Sequence, residues 1–280
     1  MPPKDDDDLM TRSETEPESF NSSDNNDDHP IEYTAEELDA IRQVKTMLME
    51  EHGIEESRIG LTFLAVATIN TKLRVEEAVK KMVKFLELME GLGCPDGISD
   101  DVWKPEAVSE LAAYEPCGPN YDGTACIWIN GGGRKVSKEQ ERNHVHACIM
   151  HFLAVHADSN SLRNGITMVM DVSVSPQGPK IGNEGQIQAF YQGFPQRPQS
   201  ILIAGTNIVT RVIVNASIKL ASLFTKQKVL DRIEFVSVEQ AKGKIPLRSV
   251  PKYVGGLGGD IDSTEEWVHA RLQKLPKPEL

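Results

Sequence analysis

Three side chains on one predicted helix have the types and the spacing of metal ligands. His144, Cys148 and His151 stand at positions i, i+4 and i+7, so one helix face would present two imidazoles and a thiol. No fourth ligand with matching spacing follows nearby. Cys148 also belongs to the apolar stripe of this helix. We therefore predict a core cysteine flanked by surface histidines, and no metal site.

Two other features bear on phosphate binding and catalysis. The glycines 131–133 lie between a predicted strand and a predicted helix, but they lack the spacing of a phosphate-binding loop, so we interpret them as a tight turn. Asp171 ends a buried strand, where it would serve an active site, a local cap or an ion pair, and we favour a local role. The chain contains no G-x-S-x-G elbow and no H-E-x-x-H helix. We expect no catalytic residues and no cofactor.

The acidic side chains are concentrated at the amino terminus. Residues 1–30 hold ten acidic and two basic side chains, which leaves the other 250 residues with −4 of the total net charge of −12. We predict that this leader is disordered, because it cannot bury enough apolar area to offset the entropy of ordering. The body lacks the basic excess that nucleic-acid binding requires, so we expect no nucleic-acid partner.

The compartment is predicted from what the chain does not contain. It has neither a secretory signal pattern nor an apolar run approaching the roughly 20 residues that span a bilayer. Its four cysteines form no close pairs, and Cys126 lies in an apolar run typical of a reduced, buried thiol. We expect a cytoplasmic monomer.

Three helices are predicted in residues 31–95. Thr34 and Glu37 form the sequence signature of a capping box at the start of the first helix. A short second helix is predicted over 57–67. The third, over 75–89, has the clearest apolar periodicity in the chain, and Gly91 follows it as a helix-ending glycine. These helices form a small unit whose apolar stripes must pack against other elements.

After Gly97 the pattern changes to strands separated by helices. Residues 103–120 are predicted to form a connection interrupted by prolines. The predicted strands are 124–130, 166–172, 200–204 and 233–238. One helix is predicted to begin at Ser137, and two more are predicted over 183–192 and 207–224. This alternation predicts an α/β layer with a largely parallel sheet. The near-continuous apolar run 166–172 is typical of a strand covered on both faces.

The predicted helix 207–224 has apolar side chains on more than one side. Only Arg211, Asn215 and Lys219, spaced four residues apart, form a narrow polar edge. A surface helix needs a single apolar stripe. This helix therefore either lies buried at the centre of the fold or lines an apolar cavity on one side, and the pattern alone does not distinguish the two.

Five segments that follow one another along the chain carry a resemblance. They are 62–78 (TFLAVATINTKLRVEEA), 163–171 (RNGITMVMD), Phe194–Pro195 followed by SILIA, 226–233 (KQKVLDRI) and 250–256 (VPKYVGG). Together they resemble motifs of the CRAL-TRIO lipid-binding family, and the resemblance covers roughly residues 34–260. Tyr253 stands where phosphatidylinositol-binding members tend to carry a lysine, and Lys252 is adjacent.

The resemblance implies a fold and a set of site residues. It implies a helical amino-terminal lobe over 31–95 and a lipid-binding domain over 96–262, in which a mixed, largely parallel sheet is flanked by helices. The segment 207–224 would be a gate helix over an apolar cavity, and 263–280 a tail with one short helix. The implied lipid-lining side chains are Ile129, Met168, Met170, Val172, Ile203, Ile208, Val212, Ile213, Ala216, Leu220 and Leu223. The implied phosphate-binding side chains are Arg197 and Lys219.

The function implied by the resemblance is non-enzymatic. Such a protein binds a small hydrophobic lipid and transfers or presents it between membranes, through transient contact with a membrane surface. Some proteins of this fold instead bind small GTPases or other regulatory partners, and this alternative remains open. A lipid retained by the purified protein would favour the first function.

Overall fold

The computed structural model describes residues 31–91, 101–115, 118–130, 138–173, 195, 197–205, 230–258 and 264–280. These residues form a mixed α/β fold in which helices flank a five-stranded sheet. The leader 1–30 and the helices predicted over 183–192 and 207–224 lie outside the described residues.

The amino-terminal part consists of helices α1 (Ala35–Glu50), α2 (Leu61–Asn70) and α3 (Val75–Gly91). The predicted capping box is confirmed, because the Thr34 hydroxyl accepts from the Glu37 backbone N–H while the Glu37 carboxylate accepts from that of Thr34. The second helix begins later than predicted, after a 3₁₀ turn at Glu56–Arg58. Nine of the ten residues of α2 are buried, so this helix is the centre of the helical part.

The helical part shares its core with two later helices, α4 (Lys138–Val155) and α5 (Ser159–Asn164). Phe63 of α2 stacks on Phe85 of α3, with ring centroids 4.9 Å apart, and its ring also contacts Phe152 of α4. Leu162 of α5 belongs to the same buried cluster. The apolar stripes predicted for residues 31–95 thus pack against the helices that cover the sheet.

The sheet is largely parallel, as predicted. Its parallel strands are β2 (Cys126–Asn130), β3 (Ile166–Asp171), β4 (Pro198–Ala204) and β5 (Ile233–Val236), adjacent in chain order. A two-residue strand, β1 (Tyr114–Glu115), pairs antiparallel with β2. The prediction of a plain connection over 103–120 was wrong, because this stretch contains β1 and the 3₁₀ helix Pro105–Ala113.

A helix that the sequence analysis missed follows the last strand. The predicted strand 233–238 ends at Val236, and α6 spans Val238–Lys244. Ser237 and Gln240 form a second capping box, in which each backbone N–H donates to the other residue's side chain. Two 3₁₀ turns, Leu247–Ser249 and Lys252–Val254, lead towards α7 (Thr264–Leu272).

The two faces of the sheet are covered differently. On one face, Ile127 and Met168 pack in a cluster with Met150 and Ala154 of α4 and with Val268 of α7. On the other face a second cluster joins the strands to α6 and the 3₁₀ turns. Its buried members are Cys126, Trp128, Val169, Leu202, Ala204, Val236, Ala241, Ile245 and Val250.

One ion pair connects α1 to α5, the short helix that directly precedes β3. Arg163 donates from Nε and Nη2 to the two carboxylate oxygens of Glu37, both at 2.8 Å, and from Nη2 to the Glu32 carbonyl at 2.7 Å. Burial alone would raise the pKa of Glu37, but hydrogen bonds from Arg163 and Thr34 outweigh it and lower that pKa. The charge of Glu37 is thus compensated inside the fold.

Candidate functional site

The register of the parallel strands brings apolar side chains into two neighbouring rows on one face of the sheet. Ile129, Met170, Ile203 and Phe235 occupy one row, and Ile127, Met168, Ile201 and Ile233 the row two residues earlier. Because side chains alternate between faces along a strand, both rows face the α4 side. We call Met170, Ile201, Ile203, Ile233 and Phe235 the apolar floor.

The described helices cover only part of these rows. Ile127 and Met168 are buried under α4, and Ile129 packs against the edge of the same cluster. Met170, Ile201, Ile233 and Phe235 are partly exposed and Ile203 is 6 % exposed. None of the five belongs to a hydrophobic cluster formed by the described residues. The apolar floor therefore extends beyond the cover that α4 provides.

The predicted lipid-lining residues of the strands therefore lie in different surroundings. Met170 and Ile203 lie in the apolar floor, Ile129 borders it, and Met168 lies in the core beneath α4. Val172 is buried one residue beyond β3, where its backbone N–H donates to the Ala204 carbonyl. The remaining predicted site residues, Ile208, Val212, Ile213, Ala216, Lys219, Leu220 and Leu223, lie outside the described residues, as do the glycines 131–133.

Three residues of the apolar floor were missed by the sequence analysis. Ile201, Ile233 and Phe235 belong to strands that were predicted, but none of these residues was assigned to the site. A signal was present, since Ile201 stands two residues before Ile203 on the same strand face. Phe235 could be found only after β5 was known to lie beside β4.

Two arginines lie near one another at the amino ends of β4 and β5. The guanidinium of Arg197 donates to the Arg163 carbonyl, and that of Arg232 donates to the Pro198 carbonyl. Burial and the neighbouring charge of Arg232 lower the pKa of Arg197. Within the described residues, neither guanidinium has a carboxylate at ion-pair distance. This pair has the charge that an anionic group would require, and sequence analysis named only Arg197.

A close backbone contact with Arg197 explains why the residue before β3 is a glycine. Gly165 has φ of +95°, a conformation that L side chains rarely adopt. A Cβ atom there would lie 2.3 Å from the Arg197 carbonyl oxygen. The same carbonyl accepts from the Ile166 backbone N–H at 3.1 Å, so β3 and the segment before β4 approach closely where Gly165 permits it.

Asp171 has a local role, as predicted, and a distant partner that was not foreseen. It is fully buried, and its Oδ1 accepts from the backbone N–H and the hydroxyl of Ser173. Its Oδ2 accepts from the Tyr253 hydroxyl at 2.9 Å, and that hydroxyl accepts from Trp128 Nε1 at 2.8 Å. This network attaches the second 3₁₀ turn to the carboxyl ends of β2 and β3, so these contacts give Asp171 a structural role.

The three candidate metal ligands on α4 have separate surroundings. His144 lies 3.9 Å from the Glu110 carboxylate, Cys148 is half-buried, and His151 is buried against Trp267 of α7. The prediction that His151 is a surface residue was wrong, because α7 packs over its side of α4. In the part of the chain that the structure describes, no three His, Cys, Asp or Glu residues are grouped to hold a metal ion.

Two buried histidines, His151 on α4 and His156 directly after its last residue, predict a pH-dependent stability. Burial lowers the pKa of His151 to about 3 and that of His156 to about 4. Unfolded histidine titrates near pH 6.5, so below that pH the unfolded chain binds protons that the folded chain excludes. The free energy of unfolding is therefore expected to fall as the pH drops from about 6.5 to 5.

Urea unfolding of three proteins over that pH range measures the effect. His156→Gln should show a shallower fall in the free energy of unfolding than the wild type, whatever its offset at neutral pH. His52→Gln, which changes an exposed residue, should keep the wild-type slope. A His156→Gln protein with an unchanged slope would contradict the prediction.

Comparison with known proteins yields a structural likeness alone. No protein-family model matches the chain, and no curated protein sequence matches it. Among solved structures, the crystal structure of Sfh5 is similar, with a TM-score of 0.44 and 14 % sequence identity. The match covers 82 % of this chain and 89 % of that chain. No helix among the described residues is both long and apolar enough to cross a bilayer.

Proposed function

We propose that this protein binds one small hydrophobic lipid against the apolar floor and transfers or presents it between membranes. The observation that carries the proposal is the exposure of Met170, Ile201, Ile233 and Phe235 on one sheet face. Partly exposed apolar side chains in adjacent rows form a patch that gains free energy when an apolar surface covers it. The order and spacing of the five family-like segments imply the same class of ligand.

The proposal assigns the remaining segments by resemblance. Residues 207–224 would close over the lipid, with one apolar side towards the ligand. Arg197, with Arg232 beside it, would attract an anionic phosphate of the lipid or of the membrane. A binding role is favoured over a catalytic one because Asp171 is held by Tyr253 and Ser173.

Mass spectrometry of organic extracts tests the proposal directly. Protein purified under gentle conditions is expected to release about one lipid molecule per chain, or to take up one when offered several lipid classes. Neither a metal nor a nucleotide should be needed for uptake. Folded protein that carries no lipid and takes up none would contradict the proposal. That outcome would favour the alternative, a protein-interaction module of the same fold.

A further inference from the structure

Large apolar side chains are exposed together on the segment that follows α6. Leu247 is 47 % exposed, Tyr253 46 % and Leu257 63 %. The two leucines are neighbours, since the Leu257 backbone N–H donates to the Leu247 carbonyl at 3.0 Å. Tyr121, which is 74 % exposed, borders them, because its hydroxyl lies 3.5 Å from the Ile245 carbonyl. Exposed apolar residues that cluster in this way indicate an interaction surface.

The backbone that presents these side chains is firmly attached to the sheet. The Ser249 hydroxyl donates to the Pro119 carbonyl at 2.7 Å, and Val250 is buried in the cluster beneath α6. A Cβ atom at Gly256 would lie 2.0 Å from the Val250 carbonyl oxygen, so this turn packs too closely for any other residue. The exposed side chains therefore belong to a well-packed backbone segment, and their exposure does not result from local unfolding.

Basic side chains accompany the apolar ones. Arg248 and Lys252 are both exposed, and within the described residues no carboxylate lies at ion-pair distance from either. Residues 238–258 contain four basic side chains and one acidic side chain, in a chain whose net charge is −12. This segment thus opposes the acidity of the rest of the protein and favours an anionic partner.

We infer that Leu247, Arg248, Lys252, Tyr253 and Leu257, here named the closing patch, dock on the surface of an anionic lipid bilayer. The inference rests on the proposed function, for which it names the membrane-facing surface. The leucine side chains enter the headgroup region, and the exposed part of the Tyr253 ring lies against it while its hydroxyl stays bonded to Asp171. Arginine and lysine pair with lipid phosphates, and the apolar and charged contributions act together. A folded protein partner fits less well, because a stable interface covers about 800 Å² on each side, far more than five side chains provide.

Vesicle flotation tests the closing patch with two pairs of variants. Leu247→Ser with Leu257→Ser removes the apolar contribution, and Arg248→Glu with Lys252→Glu reverses the charge. The matched controls are Met49→Ser on α1 and Lys80→Glu with Lys84→Glu on α3, all at exposed positions. Each protein is mixed with vesicles of phosphatidylcholine alone or of phosphatidylcholine with phosphatidylserine, at low and high salt. Melting curves and the lipid content of organic extracts are measured on the same samples.

The wild type is expected to float with the phosphatidylserine vesicles, and the bound fraction should fall with salt because exposed charges are screened. Reversal of Arg248 and Lys252 should weaken vesicle binding at least about tenfold, and the leucine pair should weaken it at both salt concentrations. The control variants should bind like the wild type.

The closing-patch inference fails if the wild type does not bind the vesicles. It also fails if the α3 charge variant loses vesicle binding as strongly as the variant with Arg248→Glu and Lys252→Glu. Lipid content separates this failure from that of the proposed function, since patch variants should still carry the bound lipid. If the leucine variant does not fold, the charge variant decides the question, because Arg248 and Lys252 make no ion pair that holds the described fold together.

Discussion

Replacing Arg163 with methionine is expected to lower the free energy of unfolding by about 3 kcal/mol. The substitution keeps most of the aliphatic side chain but removes both hydrogen bonds to the Glu37 carboxylate and the one to the Glu32 carbonyl. Glu37 is 5 % exposed, so its charge would remain buried with the Thr34 backbone N–H as a donor but without the compensating charge of Arg163. Urea unfolding at neutral pH measures the change.

A surface ion pair provides the control for Arg163. Arg74 pairs with Glu77 at 2.8 Å where both side chains reach solvent, so Arg74→Met should cost less than about 1 kcal/mol. Adding Glu37→Gln to Arg163→Met should restore part of the loss, because a neutral amide is less costly to bury than a carboxylate. If Arg163→Met proved no more destabilising than Arg74→Met, the pair between Arg163 and Glu37 would not stabilise the packing of α1 against α5.

Placing aspartate at Met170 is expected to abolish lipid retention while the protein stays folded. Met170 is partly exposed in the apolar floor, so a carboxylate there can remain hydrated when no lipid is bound. With lipid bound, the charge would be desolvated at a cost of several kcal/mol, which corresponds to a loss in affinity of more than about a hundredfold. Circular dichroism and the lipid content of organic extracts report the two parts of this prediction.

The same substitution at two other methionines isolates the effect. Met168→Asp changes the residue two positions earlier, which is buried under α4, and should unfold the protein. Met49→Asp changes an exposed residue of α1 and should alter neither folding nor lipid content. A folded Met170→Asp protein that retains lipid like the wild type would refute the assignment of the apolar floor.

Local patterns were sufficient for elements whose side chains repeat with a clear period. The helix predicted over 75–89 is α3, Val75–Gly91, because its apolar residues return to one side at every turn. The apolar run 166–172 is β3, Ile166–Asp171, and all of its residues except the partly exposed Met170 are buried. The Thr34–Glu37 capping box formed because its hydrogen bonds join residues three positions apart.

Elements that depend on a distant partner were missed or misplaced. Strand β1 has two residues, too few for a period, and exists because Tyr114 and Glu115 pair with Ile129 and Trp128. His151 was predicted to be exposed, and its burial follows from the packing of α7, which begins more than a hundred residues later. Helix α6 is different, since the Ser237–Gln240 capping box was visible in the sequence and was overlooked.

The sequence by itself determined the mixed α/β class and the largely parallel sheet. The spacing of apolar residues that distinguishes a helix from a strand is a property of residues close together in the chain. Only the tertiary structure decided which apolar strand residues remain partly exposed. Met168 and Met170 share a strand and a face, yet α4 covers the first and leaves the second partly exposed. It likewise decided that Asp171 meets Tyr253, 82 residues away. Whether a strand residue is covered depends on how segments distant in the chain pack against it, and the local spacing of apolar residues does not show this.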